Sequence, residues 1–174
     1  MAGRELAEVP FACMRGDATR PASVVIRPEF DPCARPFHTI TEEQWGSAWE
    51  APMREVIAQM QAAFYAGARR IVIVVPTTAM SGGSCYAHVA APAEGIRLLV
   101  KSAARQWGHH GITVNAVALS PDGFLDEPDL AGPTSLAPAA LPTNDASALI
   151  EFLCSDASGD VTGQTIVVDG GVWM

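Results

Sequence analysis

Lysine and tyrosine are scarce in this chain of 174 residues, which contains one lysine, Lys101, and two tyrosines, Tyr65 and Tyr86. The residues four positions after the two tyrosines are Arg69 and Ala90. The sequence therefore contains no Tyr-x-x-x-Lys pair in any alignment register. A reaction that depends on these two side chains at that spacing is excluded.

Runs of basic residues are also absent. The chain has 11 lysine and arginine residues against 19 aspartate and glutamate residues, a formal net charge of −8 and a sequence pI near 4.8. Proteins that bind a phosphate backbone need clustered cations, because much of their affinity comes from counterion release. We therefore expect no nucleic-acid partner.

Metal-ligand spacings and long apolar runs are missing as well. The four cysteines form no CxxC pair and the four histidines form no HxxxH pair, so we expect reduced thiols and no metal site. No stretch approaches the ~20 apolar residues that cross a bilayer. The N-terminus lacks a basic region followed by a hydrophobic one. These absences predict a cytoplasmic protein with no membrane partner.

The chain does contain ample apolar material for one core. Hydrophobic residues make up 49% of it, charged residues 17%, and the mean hydropathy is +0.18. A folded chain of ~150 residues typically buries about 70% of the surface that its unfolded form exposes. We predict a single domain spanning residues 1–174.

A first amphipathic helix is predicted between residues 42 and 66. Thr41 is a typical N-cap, and apolar residues then recur at steps of three and four from Trp45 to Phe64. Gly67 marks the end of this helix.

Two further helices follow the same periodicity. The second is predicted to begin near Pro92, which is acceptable in a first helical turn, and to end between Gly108 and Gly111. The third is predicted to follow Asn144 as its cap.

The helices alternate with apolar, β-branched runs that predict strands. These runs span residues 22–26, 70–75, 112–119 and 164–168. Strands that alternate with long helices favour right-handed crossovers and a parallel sheet with helices on both faces. The predicted fold class is therefore α/β, a three-layer sandwich with about four parallel strands.

Three segments resemble the C-terminal half of the short-chain dehydrogenase/reductase family, of the 3-oxoacyl carrier-protein reductase type. They read KSAAR at 101–105, GITVNAV at 111–117 and VTGQTIVVDGG at 161–171. The resemblance covers about residues 22–174 and implies a Rossmann-like fold. Because about 21 residues precede the strand at 22–26, the chain is interpreted as a truncated member that lacks the N-terminal nucleotide-binding half.

The resemblance also implies where catalytic residues should lie. The family transfers a hydride with an Asn, a Ser and a Tyr-x-x-x-Lys pair, in which the tyrosine is the acid/base and the lysine lowers its pKa. An alignment without gaps, anchored on residues 101–105, puts residues without a suitable group at all four positions. In the order Asn, Ser, Tyr and Lys they are Pro52, Pro76, Val89 and Ala93.

The sequence offers one candidate for a relocated catalytic site and none for a nucleotide site. Tyr86 with His88, Thr77 and Thr78 forms the one candidate for a relocated catalytic group, although no cation accompanies it. The family's glycine-rich nucleotide turn has no counterpart, and the pairs Gly82-Gly83 and Gly170-Gly171 are interpreted as turns. We expect no cofactor.

The parts that survive are those that form subunit interfaces in the family. The two long helices would build a four-helix bundle with a second subunit, and the last strand and C-terminal tail a further contact. The alternative is that the same apolar side chains only fill the core. The candidate interface residues are Trp49, Met53, Met60, Phe64, Ile96, Val100, Trp107, Val168 and Trp173.

An exposed edge supports the idea of an interface. Without the strands that precede it in the family, the strand at 22–26 becomes a sheet edge, and an apolar edge must be covered. The apolar segment at 9–14 is predicted to pair there as a short strand, in which Pro10 is tolerable. A partner subunit would cover whatever remains.

The leading hypothesis is a catalytically inactive subunit, a pseudoenzyme, that stabilises or regulates an active homologous dehydrogenase in a hetero-oligomer. One alternative is a cofactor-independent lyase, isomerase or cyclase in a crevice between Pro76, Tyr86, His88 and the segment 121–144. Another is a homodimeric module that binds a small apolar ligand in that crevice. A residual alternative is an NAD(P)-dependent oxidoreductase.

Overall fold

Four parallel strands form the centre of the fold in the computed structural model, which describes residues 13–14, 22–132 and 145–171. In spatial order they are β2 (Ser23–Ile26), β3 (Arg70–Pro76), β4 (Thr113–Leu119) and β5 (Thr165–Val168). Every residue of β3 is buried. This agrees with its continuous apolar, β-branched sequence, which is typical of a strand covered on both faces. The predicted parallel sheet is confirmed.

A two-residue strand, β1 (Cys13–Met14), lies antiparallel along the outer edge of β2. Cys13 pairs with Val24, and Met14 pairs with Ser23. The prediction that residues 9–14 pair at this edge is confirmed for positions 13 and 14, while residues 9–12 lie outside the described residues. The pairing occupies edge backbone groups that would otherwise invite another strand.

The first predicted helix forms in three continuous parts, α1 (Glu42–Trp45), a π-helical segment (Gly46–Glu50) and α2 (Ala51–Tyr65). Thr41 caps it as predicted, in a capping box with Gln44. The π segment, which the periodicity did not predict, ends next to Pro52. Proline has no N–H to continue the regular helical bonds, so the backbone widens before it.

The second helix, α4 (Ala87–Trp107), begins five residues before Pro92, so the predicted start is wrong. The backbone carbonyl of Tyr86 already accepts hydrogen bonds from Val89 and Ala90. Pro92 removes only one hydrogen bond from a helix that has started before it. The predicted end is confirmed, because Gly108 is the C-cap and Gly111 has a φ of +74°.

Two shorter helices complete the description. α3 (Thr78–Ser81) follows β3 directly and was not predicted. α5 (Ser147–Leu153) is the predicted third helix, but its N-cap is Ala146 and not Asn144, which lies outside the described residues. The side chain of Asp145 accepts a hydrogen bond from the Ser147 backbone and takes over the expected capping role.

Helices cover both faces of the sheet and create two cores. On one face Val56 and Met60 of α2 and Ile96 of α4 pack against Ile71 and Ile73 of β3. On the other face Ile150 and Leu153 of α5 pack against Val72 and Val74. Alternate residues of β3 therefore serve opposite layers, which confirms the three-layer architecture.

The segment before β5 is fastened to β4 by side-chain hydrogen bonds. Fully buried Asn115 donates to the carbonyl of Val161 at 2.8 Å and accepts from the N–H of Gln164 at 3.1 Å. The hydroxyl of Thr162 accepts from the N–H of Val114 at 3.2 Å. Two of the motifs that carry the family resemblance thus bind each other.

Within the ranges that the structure describes, Cys33, Cys85 and Cys154 form no disulfide. No group of three His, Cys, Asp or Glu side chains there is arranged to hold a metal ion. No helix in those ranges has both the length and the apolar character to cross a bilayer.

Candidate functional site

The four positions predicted to replace the family's catalytic residues are buried and apolar. Pro52 lies at the start of α2, Pro76 ends β3, and Val89 and Ala93 lie on α4 with no exposed surface. Val89 packs in an apolar cluster with Tyr86, Leu125 and Ala131. None of these four side chains carries a group that can donate or accept a proton.

The phenol of Tyr86 is fully engaged by two loops. Its hydroxyl donates to the carbonyl of Pro32 at 3.1 Å and accepts from the N–H of Glu127 at 3.0 Å. The side chain has no exposed surface, and burial raises the pKa of Tyr86 above its usual value. The phenol therefore stays protonated and joins the loops on either side of it.

His88 lies beside this tyrosine and is equally buried. The two rings stack with centroids 5.9 Å apart and an interplanar angle of 28°. Neither ring nitrogen has a hydrogen-bond partner among the described residues. Burial lowers the pKa of His88, and the opposing effect of the nearby Asp31 carboxylate does not outweigh it. The imidazole is held neutral near pH 7.

Arg35 and Asp31 form an ion pair whose charges act on His88. Arg35 contacts Asp31 at 2.8 Å, and the Cys33 N–H donates to the same carboxylate at 3.1 Å. Burial acts to raise the pKa of Asp31, but these two partners bring it below its ordinary value. The guanidinium is therefore committed to Asp31 and does not serve Tyr86 as the missing cation.

Thr77 and Thr78 lie at the carboxyl end of β3 and are both buried. The Thr77 backbone N–H donates to Leu119 at 2.8 Å, and the Thr78 hydroxyl has no partner among the described residues. α3, which begins at Thr78, packs against α4. The structure thus stacks Tyr86 on His88 and places both threonines at the adjacent strand end.

Residues 121–132, the described part of the segment that bounds the predicted crevice, pack closely on their neighbours. Gly83 approaches Ala131 so closely that a Cβ there would lie 2.9 Å from the Ala131 Cα. The Ser84 N–H donates to Leu130 at 2.8 Å. Leu125 and Ala131 pack on Tyr86. Residues 121–132 therefore contribute to the burial of Tyr86, while residues 133–144 lie outside the described residues.

Arg27 ties the same two loops together beside β2, a feature that sequence reasoning missed. Its guanidinium donates to the carbonyl of Gly123 at 2.8 Å and lies 4.7 Å from the centroid of the Phe124 ring. Phe30 meets Phe124 edge to face at 6.4 Å. A cavity of about 370 Å³ next to these residues is lined by Val25, Arg27, Pro28, Glu29, Phe30, Gly123 and Phe124.

The predicted interface residues divide into two groups. Met60, Ile96 and Val100 face the sheet and are buried in the chain's own core, so they have no surface to offer a partner. Trp173 lies outside the described residues. The half-buried members, which retain some surface, are Trp49, Met53, Phe64, Trp107 and Val168.

Larger exposed apolar side chains were missed on the same helices. Ile57 on α2 is 39% exposed and Leu98 on α4 is 53% exposed. Met53 lies 3.3 Å from the position that a Cβ on Gly95 would occupy, so the two helices approach closely. The sequence could not show that Ile57 is exposed while its neighbour Val56 is buried, because this depends on how α2 is rotated about its axis relative to the sheet.

A family model described as Enoyl-(Acyl carrier protein) reductase matches residues 23–173. The chain belongs to the short-chain dehydrogenase/reductase family. It is 31% identical over 155 residues to a short-chain dehydrogenase/reductase of Hericium erinaceus, covering 78% of this chain and 59% of that protein. It is 34% identical over 119 residues to another from Armillaria gallica, covering 59% and 45%. The chain thus spans about half the length of these curated relatives.

Solved structures of the short-chain dehydrogenase/reductase type share the fold. Levodione reductase matches with a TM-score of 0.66 and 18% identity, over 86% of this chain and 65% of that one. A 3-oxoacyl-[acyl-carrier protein] reductase with bound NAD from Brucella melitensis matches with a TM-score of 0.66 and 22% identity, over 87% and 62%. These likenesses show the Rossmann-like fold.

A nicotinamide cofactor, which the family implies, does not fit the described residues at the carboxyl edge of the sheet. Val89 and Ala93 offer no polar group, and the hydroxyl of Tyr86 already has two partners. Arg27 spans the space beside β2 to Gly123. No hydride-transfer step follows from these side chains.

Proposed function

We propose that this chain is a catalytically inactive short-chain dehydrogenase/reductase subunit that pairs with an active homologue and stabilises or regulates it. The observation that carries the proposal is that Val89 and Ala93, which the resemblance aligns with the family's Tyr and Lys, are buried and apolar. The fully bonded Tyr86 supports it, because its phenol is not free to exchange a proton with a substrate.

The pairing surface in this proposal is the outer side of α2 and α4. Ile57 and Leu98 are exposed there. Half-buried Met53 lies one turn before Ile57 on α2, and half-buried Trp49 lies two turns before it in the π-helical segment. Apolar side chains that form a continuous patch mark contact sites when they are bordered by polar residues. The ion pairs Arg54–Glu50 and Arg97–Glu94 supply such a border on the same helices.

The outer faces of α2 and α4 are available to a partner because the inner faces already pack against the sheet of this chain. Met60, Ile96 and Val100 hold α2 and α4 on the sheet of this chain. The outer residues can therefore be buried by another subunit without disturbing that core. The sequence argument for reduced thiols places the complex in the cytoplasm in this proposal.

The test is co-expression with full-length family members from the same source, followed by native mass spectrometry. We expect a hetero-oligomer with at least one of them and a stable, inactive protein when the chain is expressed alone. A soluble monomer that binds none of them would refute the pairing. A homodimer would favour the ligand-binding alternative. Tight binding of NADH or NADPH, followed by fluorescence, would refute the claim of inactivity.

A further inference from the structure

We propose that a small aromatic cavity at the start of α1 binds an organic cation. The cavity has a volume of about 310 Å³ and is lined by Phe37, Ile40, Thr41, Glu42 and Trp45. It is separate from the crevice around Tyr86. This volume is at the lower end of ligand sites, so it suits a small molecule or the end of one side chain.

Aromatic surface is the first argument for a cation. The ring of Trp45 stacks on Trp49 at 5.5 Å with an interplanar angle of 17°, which fixes its orientation and covers one of its faces. Phe37 is 69% exposed, so its ring has little contact with the chain. The faces of such rings carry negative potential and attract cations, most strongly the weakly hydrated quaternary ammonium groups.

The polar groups that line the cavity also favour a cation. The hydroxyl of Thr41 accepts from the Gln44 N–H, and the Gln44 side chain accepts from the Thr41 N–H, so the capping box uses both. Glu42 is exposed and forms no ion pair among the described residues. The lining residues thus include one carboxylate and two aromatic side chains, and none of them is a cation.

The net charge of the chain strengthens this preference. A formal charge of −8 raises the local concentration of cations around the molecule. Glu43 follows Glu42 and adds a second carboxylate to the first turn of α1. An anionic ligand would face both carboxylates, whereas a quaternary ammonium compound gains from them and from the rings.

Choline and its neutral isostere 3,3-dimethylbutan-1-ol provide the test, with binding followed by tryptophan fluorescence and calorimetry. The two probes have the same shape, so the difference between them measures the effect of charge. We expect saturable choline binding that is about five- to thirtyfold tighter than that of the alcohol, as two cation–π contacts imply. Equal binding of the two probes, or no saturable response to choline, would overturn the proposal.

Two variants assign the effect to the cavity. Phe37→Leu keeps apolar volume but removes a ring, and should weaken choline binding about two- to fivefold without changing that of the alcohol. Glu42→Gln should weaken choline binding and reduce its dependence on salt. Phe152→Leu and Glu151→Gln, on exposed positions of α5, are the matched controls. Equal losses in variants and controls would contradict the assignment.

The source of the cation is distinguished in a further arm. A peptide that carries trimethyl-lysine and the same peptide with unmodified lysine are titrated beside choline. Tighter binding of the trimethylated peptide than of choline identifies a modified protein as the source. Equal binding of the trimethylated peptide and choline identifies a small quaternary amine. Preference for unmodified lysine over both would contradict a site built on aromatic faces.

Discussion

The Tyr86 hydroxyl accepts a hydrogen bond from the backbone N–H of Glu127 at 3.0 Å, although 41 residues separate them in the chain. The same hydroxyl donates to Pro32, 54 residues away in the other direction. One side chain therefore holds two distant loops at the carboxyl edge of the sheet. Tyr86 therefore has a structural role at this edge.

Removal of this hydroxyl should loosen both loops. Tyr86→Phe keeps the ring and its packing but leaves the Pro32 carbonyl and the Glu127 N–H without their partner. We expect the free energy of unfolding to fall by about 1–3 kcal/mol, the cost of unpaired buried groups. Urea denaturation measures the loss, and hydrogen exchange at the Glu127 amide should become faster.

Tyr65→Phe is the matched control for this experiment, because Tyr65 is 85% exposed. Its stability should change by less than about 0.5 kcal/mol. If both variants were equally stable, the hydroxyl of Tyr86 would not fasten the loops.

The link between β4 and the segment before β5 should be a second point of sensitivity. Asn115→Ala removes a donor to Val161 and an acceptor for Gln164 from a fully buried site. We expect a loss of about 2–4 kcal/mol in the free energy of unfolding, measured by urea denaturation.

The neighbouring hydroxyl of Thr162 offers a graded comparison. Thr162→Val leaves the Val114 N–H without its acceptor and should cost about 1–2 kcal/mol, while Thr162→Ser keeps the hydroxyl and most of the stability. A serine variant that is less stable than the valine variant would show that the methyl group matters more than the hydrogen bond.

The strands and the long helices could be predicted because their signals are local. The β-branched run that became β3 and the steps of three and four along α2 reflect burial on two faces or on one. The start of α4 could not be predicted in this way. Pro92 favours a helix start by its own preference, but the bonds to Tyr86 and the burial of that residue place the start earlier.

The residue types at the candidate site could be predicted from the sequence, but the contacts of their side chains could not. Sequence spacing shows that Val89 and Ala93 cannot transfer protons. Whether Tyr86 is free depends on Pro32 and Glu127, which belong to loops without periodicity. Sequence could not separate buried from exposed apolar residues on the helices for a related reason. Adjacent positions on a helix point about 100° apart, so Val56 is buried while Ile57 is exposed.

The proposed subunit contact should depend on Ile57 and Leu98. Glutamate at either position would place a charge in the apolar centre of the contact, which costs more than a rim substitution. We expect Ile57→Glu or Leu98→Glu to weaken association at least about tenfold, equivalent to about 1.4 kcal/mol. Sedimentation of the complex over a range of concentrations measures this.

Phe152→Glu provides the comparison for these two variants, because Phe152 is 42% exposed on α5, on the opposite face of the sheet. It should leave association unchanged. All three variants should keep the unfolding free energy of the isolated chain within about 0.5 kcal/mol, since the positions are exposed. Unimpaired assembly of the Ile57 and Leu98 variants would locate the contact elsewhere.

His88 should make the stability of the chain dependent on pH below neutrality. Burial holds its pKa in the folded chain below the ordinary value of 6.5. As the pH falls below about 6.5, the unfolded chain therefore binds a proton that the folded chain does not, and the free energy of unfolding decreases. The decrease ends once the pH passes the lowered pKa of the folded state. Urea denaturation at pH 7.5 and 5.5 measures this loss, in a window above the range in which Asp31 titrates.

His88→Phe tests the origin of this loss. The phenyl ring can still stack on Tyr86, and it removes two ring nitrogens that have no partner among the described residues. Stability at pH 7.5 should be kept or raised, because a buried polar ring is replaced by an apolar one, and the His88 part of the loss at pH 5.5 should disappear. An unchanged loss in His88→Phe would mean that another group binds the proton, and that the imidazole is not held neutral by its burial beside Tyr86.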